Sequence, residues 1–162
     1  MQVLLISTYD LGHQPFSLAS PAAKLSNAGA KVICNDLAVE SLNDDNVRTA
    51  GMIGLYLQMH TATRLSIALI PHLKELNPTA HIVFYGLYAP LNAAYLKEIG
   101  GDSFIGGEFE DGLVELYKNL AEGHISISIV NPYMLENGWV FNEDFPGSTP
   151  DHLFDSKYLY QI

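Results

Sequence analysis

Along the first 123 residues, short apolar runs alternate with stretches whose apolar positions recur at helical spacing. The runs are Val3-Leu4-Leu5-Ile6-Ser7, Lys31-Val32-Ile33-Cys34, Met52-Ile53-Gly54-Leu55-Tyr56-Leu57, His81-Ile82-Val83-Phe84-Tyr85 and Ser103-Phe104-Ile105. Continuous apolarity over so few residues is the pattern of strands buried on both faces of a parallel sheet. Ser20-Pro21 predicts a helix start, with Ser20 as cap and Pro21 at the first helical position, and Gly29 predicts its end. Ala62, Leu65, Leu69, Leu73 and Leu76 predict a second helix from about Thr61, which Pro71 should kink or split. Leu91 to Ile99 predicts a short helix stopped by Gly100-Gly101. Leu113, Leu116, Tyr117 and Leu120 predict an amphipathic helix from Asp111 to Ala121. Residues 40–49 are polar and weakly patterned, and no element is predicted there.

Strands alternating with helices through short connections imply right-handed crossovers. The predicted fold for residues 1–123 is therefore α/β: a three-layer, flavodoxin-like (Rossmann-like) doubly wound parallel sheet of five strands in the order 2-1-3-4-5. Beyond Gly123 the pattern changes. Ile125-Ser126-Ile127-Ser128-Ile129-Val130 alternates with period two, as a half-exposed strand does at the edge of this sheet or of another chain's. Residues 131–162 then hold Tyr133, Trp139, Phe141, Phe145, Phe154, Tyr158 and Tyr160 among three prolines. Disordered tails lack such aromatics. Residues 124–162 thus read as an extended aromatic-rich C-terminal arm that packs on its own domain, on a second copy in a homo-oligomer, or on another protein.

Composition narrows the function classes. With 48% apolar and 16% charged residues over 162 positions, the chain has the makeup of an ordinary globular domain. No apolar run reaches the ~20 residues of a membrane span, and Met1-Gln2-Val3-Leu4-Leu5-Ile6 has no basic n-region, so neither membrane insertion nor secretion is expected and the expected location is cytoplasmic. A single cysteine, Cys34, excludes an internal disulfide and any all-cysteine metal site. Eight basic against 18 acidic residues give a net charge of −10, which argues against nucleic acid as a partner. The acidity is concentrated late: residues 1–77 carry 5 basic and 6 acidic groups, residues 78–162 carry 3 and 12.

In an open α/β sheet, ligands bind beyond the carboxyl ends of the strands, near the point where strand order reverses. Four segments fall there. The first, Thr8 to Ser17, is long for such a turn and carries Tyr9, Asp10, Gly12 and His13. The others contribute Gln58, Met59, His60 and Thr61; Gly86, Leu87 and Tyr88; and Gly106, Gly107 and Glu108. Each has a plainer alternative. His13 can hydrogen-bond to Asp10, His60 can cap the helix beside it, and the glycines can simply permit tight turns. Tyr9, Tyr56, Tyr85 and Tyr88 fall at strand ends, where they line a flat cleft or belong to the core.

Several chemistries lack their motifs. No G-x-G-x-x-G follows the first strand, no G-x-x-x-x-G-K-[ST] is present for ATP, and no G-x-S-x-G elbow offers a nucleophilic serine. A receiver domain would want an acidic pair after the first strand and a lysine soon after the fifth, whereas Asp10 stands alone and no lysine follows Ile105 closely.

Residues 2–121 resemble the N-terminal cobalamin (B12)-binding domain of B12-dependent radical SAM proteins. The resemblance is carried by the opening strand, Ala28-Gly29, Leu76-Asn77-Pro78, the glycine turn at Gly86 and the segment Gly106-Gly107-Glu108-Phe109-Glu110, which is similar to the family's G-E-x-E. It implies a cobalamin held across the strand ends, with His13 standing in the loop where the broader fold carries its lower cobalt ligand, and so the metal-binding residue. Gln58-Met59-His60 and Gly86-Leu87 stand where that fold has S-x-L and G-G. The radical SAM half, with its three-cysteine C-x-x-x-C-x-x-C cluster motif, is absent from this sequence. The single cysteine and the missing motifs lead to the expectation of no iron–sulfur cluster and no NAD or ATP, and the resemblance implies no catalysis by the chain alone. The expected function is a stand-alone domain that presents a corrinoid to a separate catalytic protein. A cofactor-free interaction or assembly module is the alternative, and a small enzyme using Asp10 and His13 as an acid–base pair is a weaker one.

Overall fold

The computed structural model describes residues 1–11 and 13–123, and the backbone of the strand pair 129–130. Five strands, β1 (Gln2–Ser7), β2 (Lys31–Asp36), β3 (Met52–Tyr56), β4 (His81–Tyr85) and β5 (Ser103–Ile105), alternate with helices. The helices are α1 (Phe16–Asn27), α2 (Asp44–Thr49), α3 (His60–Leu76), α4 (Tyr88–Leu91), α5 (Ala93–Glu98) and α6 (Phe109–Ala121). A sixth strand, β6 (Ile129–Val130), follows. All pairings are parallel and the sheet order is β2-β1-β3-β4-β5-β6. This is the flavodoxin-like doubly wound fold, with the predicted order intact and β6 added outside β5. Of the alternating run 125–130, only Ile129 and Val130 lie within the described residues; the rest of the arm, 131–162, lies outside them.

Alternation along each strand builds two cores. Val3, Leu5, Met52, Val83, Tyr85 and Ile105 pack beneath α1 and α6 through Leu18, Leu25, Leu113 and Leu116. Leu4, Ile6, Ile53, Leu55, Ile82, Phe84 and Phe104 pack beneath α2, α3 and α5 through Val47, Ile70, Leu73 and Leu96. Among the described residues no helix is long and apolar enough to cross a membrane.

Three helices differ from the sequence expectation. Helix α1 begins at Phe16 rather than beside Ser20, because Pro15 occupies the N-cap position in extended conformation (φ −72°, ψ 99°). Pro21 is then interior, and the carbonyl four residues before it, that of Ser17, receives the Tyr85 hydroxyl at 3.0 Å instead of an amide. Helix α3 runs through Pro71 in one piece. The polar stretch 40–49 folds a short helix, α2, because the Asn43 side chain accepts from the amides of Asp45 (3.0 Å) and Asn46 (3.2 Å) at its N-terminus.

Candidate functional site

Five loops leave the carboxyl edge of the sheet: 8–15 after β1, 37–43 after β2, 57–59 after β3, 86–87 after β4 and 106–108 after β5. Strand order reverses between β1 and β3. The crevice expected at that point is closed by the Gln58 side-chain amide, which donates to the Asp10 carboxylate (2.8 Å) and to the Tyr9 carbonyl (3.3 Å). Thr8 fastens the same loop to α3 by donating to the Ala62 carbonyl at 3.0 Å, with the Ser66 hydroxyl 3.3 Å away.

The neighbouring loops are joined as firmly. His60, the first residue of α3, meets the Tyr88 ring edge-on with centroids 5.0 Å apart, and the Tyr88 amide donates to the Leu57 carbonyl at 2.9 Å. Gly86, at φ +106°, lies so close to the Leu57 carbonyl and the Tyr56 ring that a Cβ would sit 2.8 Å from each. A Cβ on Gly106 would overlap the Pro90 ring. At both glycines, therefore, protein already fills the space that a side chain would take. Gly107 turns the chain at φ +64°, Met59 is the N-cap residue of α3, and Thr61 is exposed in its first turn. Glu108 is exposed at the N-cap of α6, with no capping bond from its side chain.

Asp10 and His13 meet through the backbone: the His13 amide donates to the Asp10 carbonyl at 2.8 Å, closing a turn, while the Asp10 carboxylate is engaged by Gln58. An acid–base pair would need the two side chains linked instead. Gly12 lies outside the described residues. Among those described, no group of three or more His, Cys, Asp or Glu side chains is placed to hold a metal ion.

Of the four tyrosines, Tyr56 and Tyr85 pack with Phe109 at centroid distances of 5.0–5.7 Å beneath α6. Tyr85 is fully buried, which pushes its phenol well above the usual range. Burial also raises Tyr56, reinforced by the negative charges of Asp10 and Glu110. There is therefore no open aromatic cleft around these two rings.

A signal absent from the sequence reading is the exposure of apolar side chains along this edge. Leu11 (59% exposed), Phe16 (74%), Val39 (82%) and Leu87 (66%) all stand at or beside the carboxyl ends of the strands. Leu11 is held outward at φ +50°, a left-handed conformation unusual for a residue with a bulky side chain. Of these only Leu87 was a candidate site residue from the sequence; Leu11 and Phe16 lie within the Thr8–Ser17 segment but were not singled out, because hydropathy alone does not tell an exposed leucine from a buried one.

The comparisons with known proteins give limited likeness. No protein-family model matches the chain. A curated protein, glutathionyl-hydroquinone reductase YqjG of Escherichia coli (strain K12), is 56% identical over 41 residues, 25% of this chain, and the match spans only 12% of that protein. Among solved structures, the chain is similar to a response regulator protein from Burkholderia pseudomallei, whose structure has a phosphorylated aspartic acid, calcium ion and citrate. The TM-score is 0.49 at 22% identity, covering 84% of this chain and 74% of that one. The likeness is one of fold. It corrects the cobalamin-domain resemblance: the similar structure is a response regulator, not a B12-binding domain. With it fall cobalamin as cofactor, the radical SAM association and the presentation of a corrinoid to a catalytic partner. The geometry supplies the physical reason. Gln58 bridges the crevice, Pro90 and the Tyr56 ring fill the side-chain space at Gly106 and Gly86, and His13 has no companion ligands among the described residues.

Proposed function

We propose that the chain is a non-catalytic protein-interaction domain that docks a protein partner on the carboxyl edge of its sheet, through Leu11, Phe16, Val39 and Leu87 with Asp10 and Glu108 at the rim. The observation that carries this reading is the concentration of exposed large apolar side chains there, above loops already locked to one another by Gln58, His60 and Tyr88. Exposed apolar clusters rimmed by polar groups mark interaction surfaces. A rigid base lets such a surface bind without the entropic cost of ordering its loops. The response-regulator likeness adds the fold and nothing of phosphorylation. Gln58, not a carboxylate, follows β3 by two residues, and Asp10 is the sole acid in the loop after β1. The short match to the reductase adds no activity either, since it spans only 12% of that protein. An exposed free cysteine suits a reducing, cytoplasmic setting.

Site-specific photo-crosslinking in cells tests the reading. A photoreactive residue at position 87 should give a discrete protein adduct that disappears when Leu11 and Phe16 are replaced by serine. The same probe at position 97, on the opposite edge, should give none. An adduct at both positions, or one indifferent to the serine substitutions, overturns it.

A further inference from the structure

Five basic residues of the described chain lie toward the amino edge of the sheet: Arg48, Lys74, Lys97 and Lys118 in the last turns of α2, α3, α5 and α6, and Lys31 at the start of β2. Lys24 of α1 instead pairs with Asp111 in the first turn of α6 at 2.7 Å, and Arg64 stands in the second turn of α3. The five carboxyl-edge loops contain no Lys or Arg at all, and carry Asp10, Glu40 and Glu108 instead. Asp36 ends β2 at the same edge, and Asp44, Asp45, Glu110 and Asp111 occupy the first turns of α2 and α6. Those four offset the positive helix ends. Neither Glu40 nor Glu108 lies in a first turn, and Glu108 is exposed.

We infer that the partner segment is cationic and amphipathic: apolar side chains to cover Leu11, Phe16, Val39 and Leu87, flanked by Lys or Arg to meet Glu40, Glu108 and Asp10. This rests on the docking reading above and names the partner's chemistry. Charge sign sets which surfaces approach and which are rejected, while buried apolar area holds the complex. A second copy of this chain matches the surface less well. Its amino edge supplies the positive charge, but the large exposed apolar residues of the described chain, Met1 apart, do not lie among those lysines.

The test uses the full chain and three fluorescent synthetic peptides with one helical spacing: Leu with Lys, Leu with Glu, and Ser with Lys. Anisotropy should show saturable binding of the Leu/Lys peptide. The Leu/Glu and Ser/Lys peptides should bind at least about tenfold more weakly. Replacing Phe16 and Leu87 by serine, or Glu40 and Glu108 by lysine, should each weaken Leu/Lys binding by about tenfold or more. The Phe16, Leu87 and Glu108 side chains are exposed, so their variants should keep the parent thermal midpoint. Glu40 accepts from the Asn35 side chain (2.8 Å) and the Asp36 amide (3.3 Å), so Glu40→Lys is compared with Glu40→Gln, which keeps an acceptor there. Equal binding of the Leu/Glu peptide overturns the cationic partner and leaves the docking surface standing. Indifference to the serine substitutions overturns both. A doubled mass in light scattering without peptide, abolished by Phe16→Ser and Leu87→Ser, makes a second copy the occupant and overturns the inference.

Discussion

The Tyr85 hydroxyl donates at 3.0 Å to the carbonyl of Ser17, the acceptor that Pro21 leaves without an amide inside α1. Tyr85 is fully buried, so this bond both satisfies the phenol and stitches β4 to the first turns of α1. Tyr85→Phe removes the donor and leaves a carbonyl unpaired, which should cost about 1–3 kcal/mol in urea unfolding. Pro21→Ala restores the missing amide. In that background the Tyr85→Phe cost should shrink, because the helix then supplies its own donor to Ser17. A cycle with no coupling between positions 21 and 85 would mean that the phenol matters only for its packing.

Asn77 ties three separate elements together. Its side-chain amide donates to the carbonyls of Val47 (2.9 Å), Ala50 (2.9 Å) and Arg48 (3.2 Å), while its carbonyl oxygen accepts from the Ala80 amide (3.0 Å) and the Thr79 hydroxyl (3.0 Å). The residue thereby closes the end of α2 and aims the chain into β4. Asn77→Ala strands several buried carbonyls and should cost about 3 kcal/mol. Asn77→Asp sets a carboxylate against the same oxygens and should cost at least as much near neutral pH. Chemical denaturation of the two variants, with unchanged slope, reads this directly.

How far the sequence foretold the molecule depends on how local each cause is. The five strands were legible because each is a self-contained apolar run, and β-α alternation fixes their order within narrow limits. Helix α2 was not, since its stability comes from the Asn43 cap and from Asn77, thirty residues distant in the case of Val47. The start of α1 was misplaced because Ser20-Pro21 carries a genuine start signal that Pro15 pre-empts. The candidate loops were correctly placed at one edge, but what fills them was not visible. Gln58 reaching Asp10, His60 meeting Tyr88 and Pro90 covering Gly106 are all contacts between separate loops. A glycine packed by a proline and a glycine open to a ligand are the same letter in a sequence.

Gly106 illustrates that ambiguity in testable form. A Cβ there would overlap the Pro90 ring, and α4 has little freedom to retreat because the Tyr88 amide is bound to Leu57. Gly106→Ala should therefore destabilise by about 1–3 kcal/mol, the usual range for overpacking. Adding Pro90→Ala should recover part of that loss. If Gly106→Ala alone leaves the thermal midpoint unchanged, the contact is slack and the edge is more open than its geometry indicates.

His81 makes stability depend on pH. Its ring nitrogen Nε2 lies 2.8 Å from the Ser103 hydroxyl, and burial holds its pKa below the ordinary value; Asp102 opposes that shift and Lys74 adds to it. The unfolded chain takes up a proton near the usual ~6.5, whereas the folded chain resists it. Below that pH the unfolded state binds more protons, so this contribution is present above ~6.5 and is lost as pH falls through the folded value. His81→Gln removes the titration. The stability difference between the parent and His81→Gln should shrink from pH ~7.5 to ~5. A difference constant over that range would show that His81 is protonated equally in both states.

Leu11 ties stability to docking in opposite directions. Its φ of +50° is costly for a residue with a Cβ, by about 1–2 kcal/mol, and its side chain is 59% exposed, so the fold recovers little by burying it. Asparagine tolerates that conformation without the added chain entropy that glycine brings to the unfolded state. Leu11→Asn should raise stability by about 0.5–1 kcal/mol and at the same time weaken binding of the Leu/Lys peptide several-fold. A residue that is strained, exposed and apolar is retained for what it touches when the partner is bound, and the sign of the stability change decides the point. Should Leu11→Asn destabilise the protein, the leucine is packing against its own loops and is not part of the docking surface.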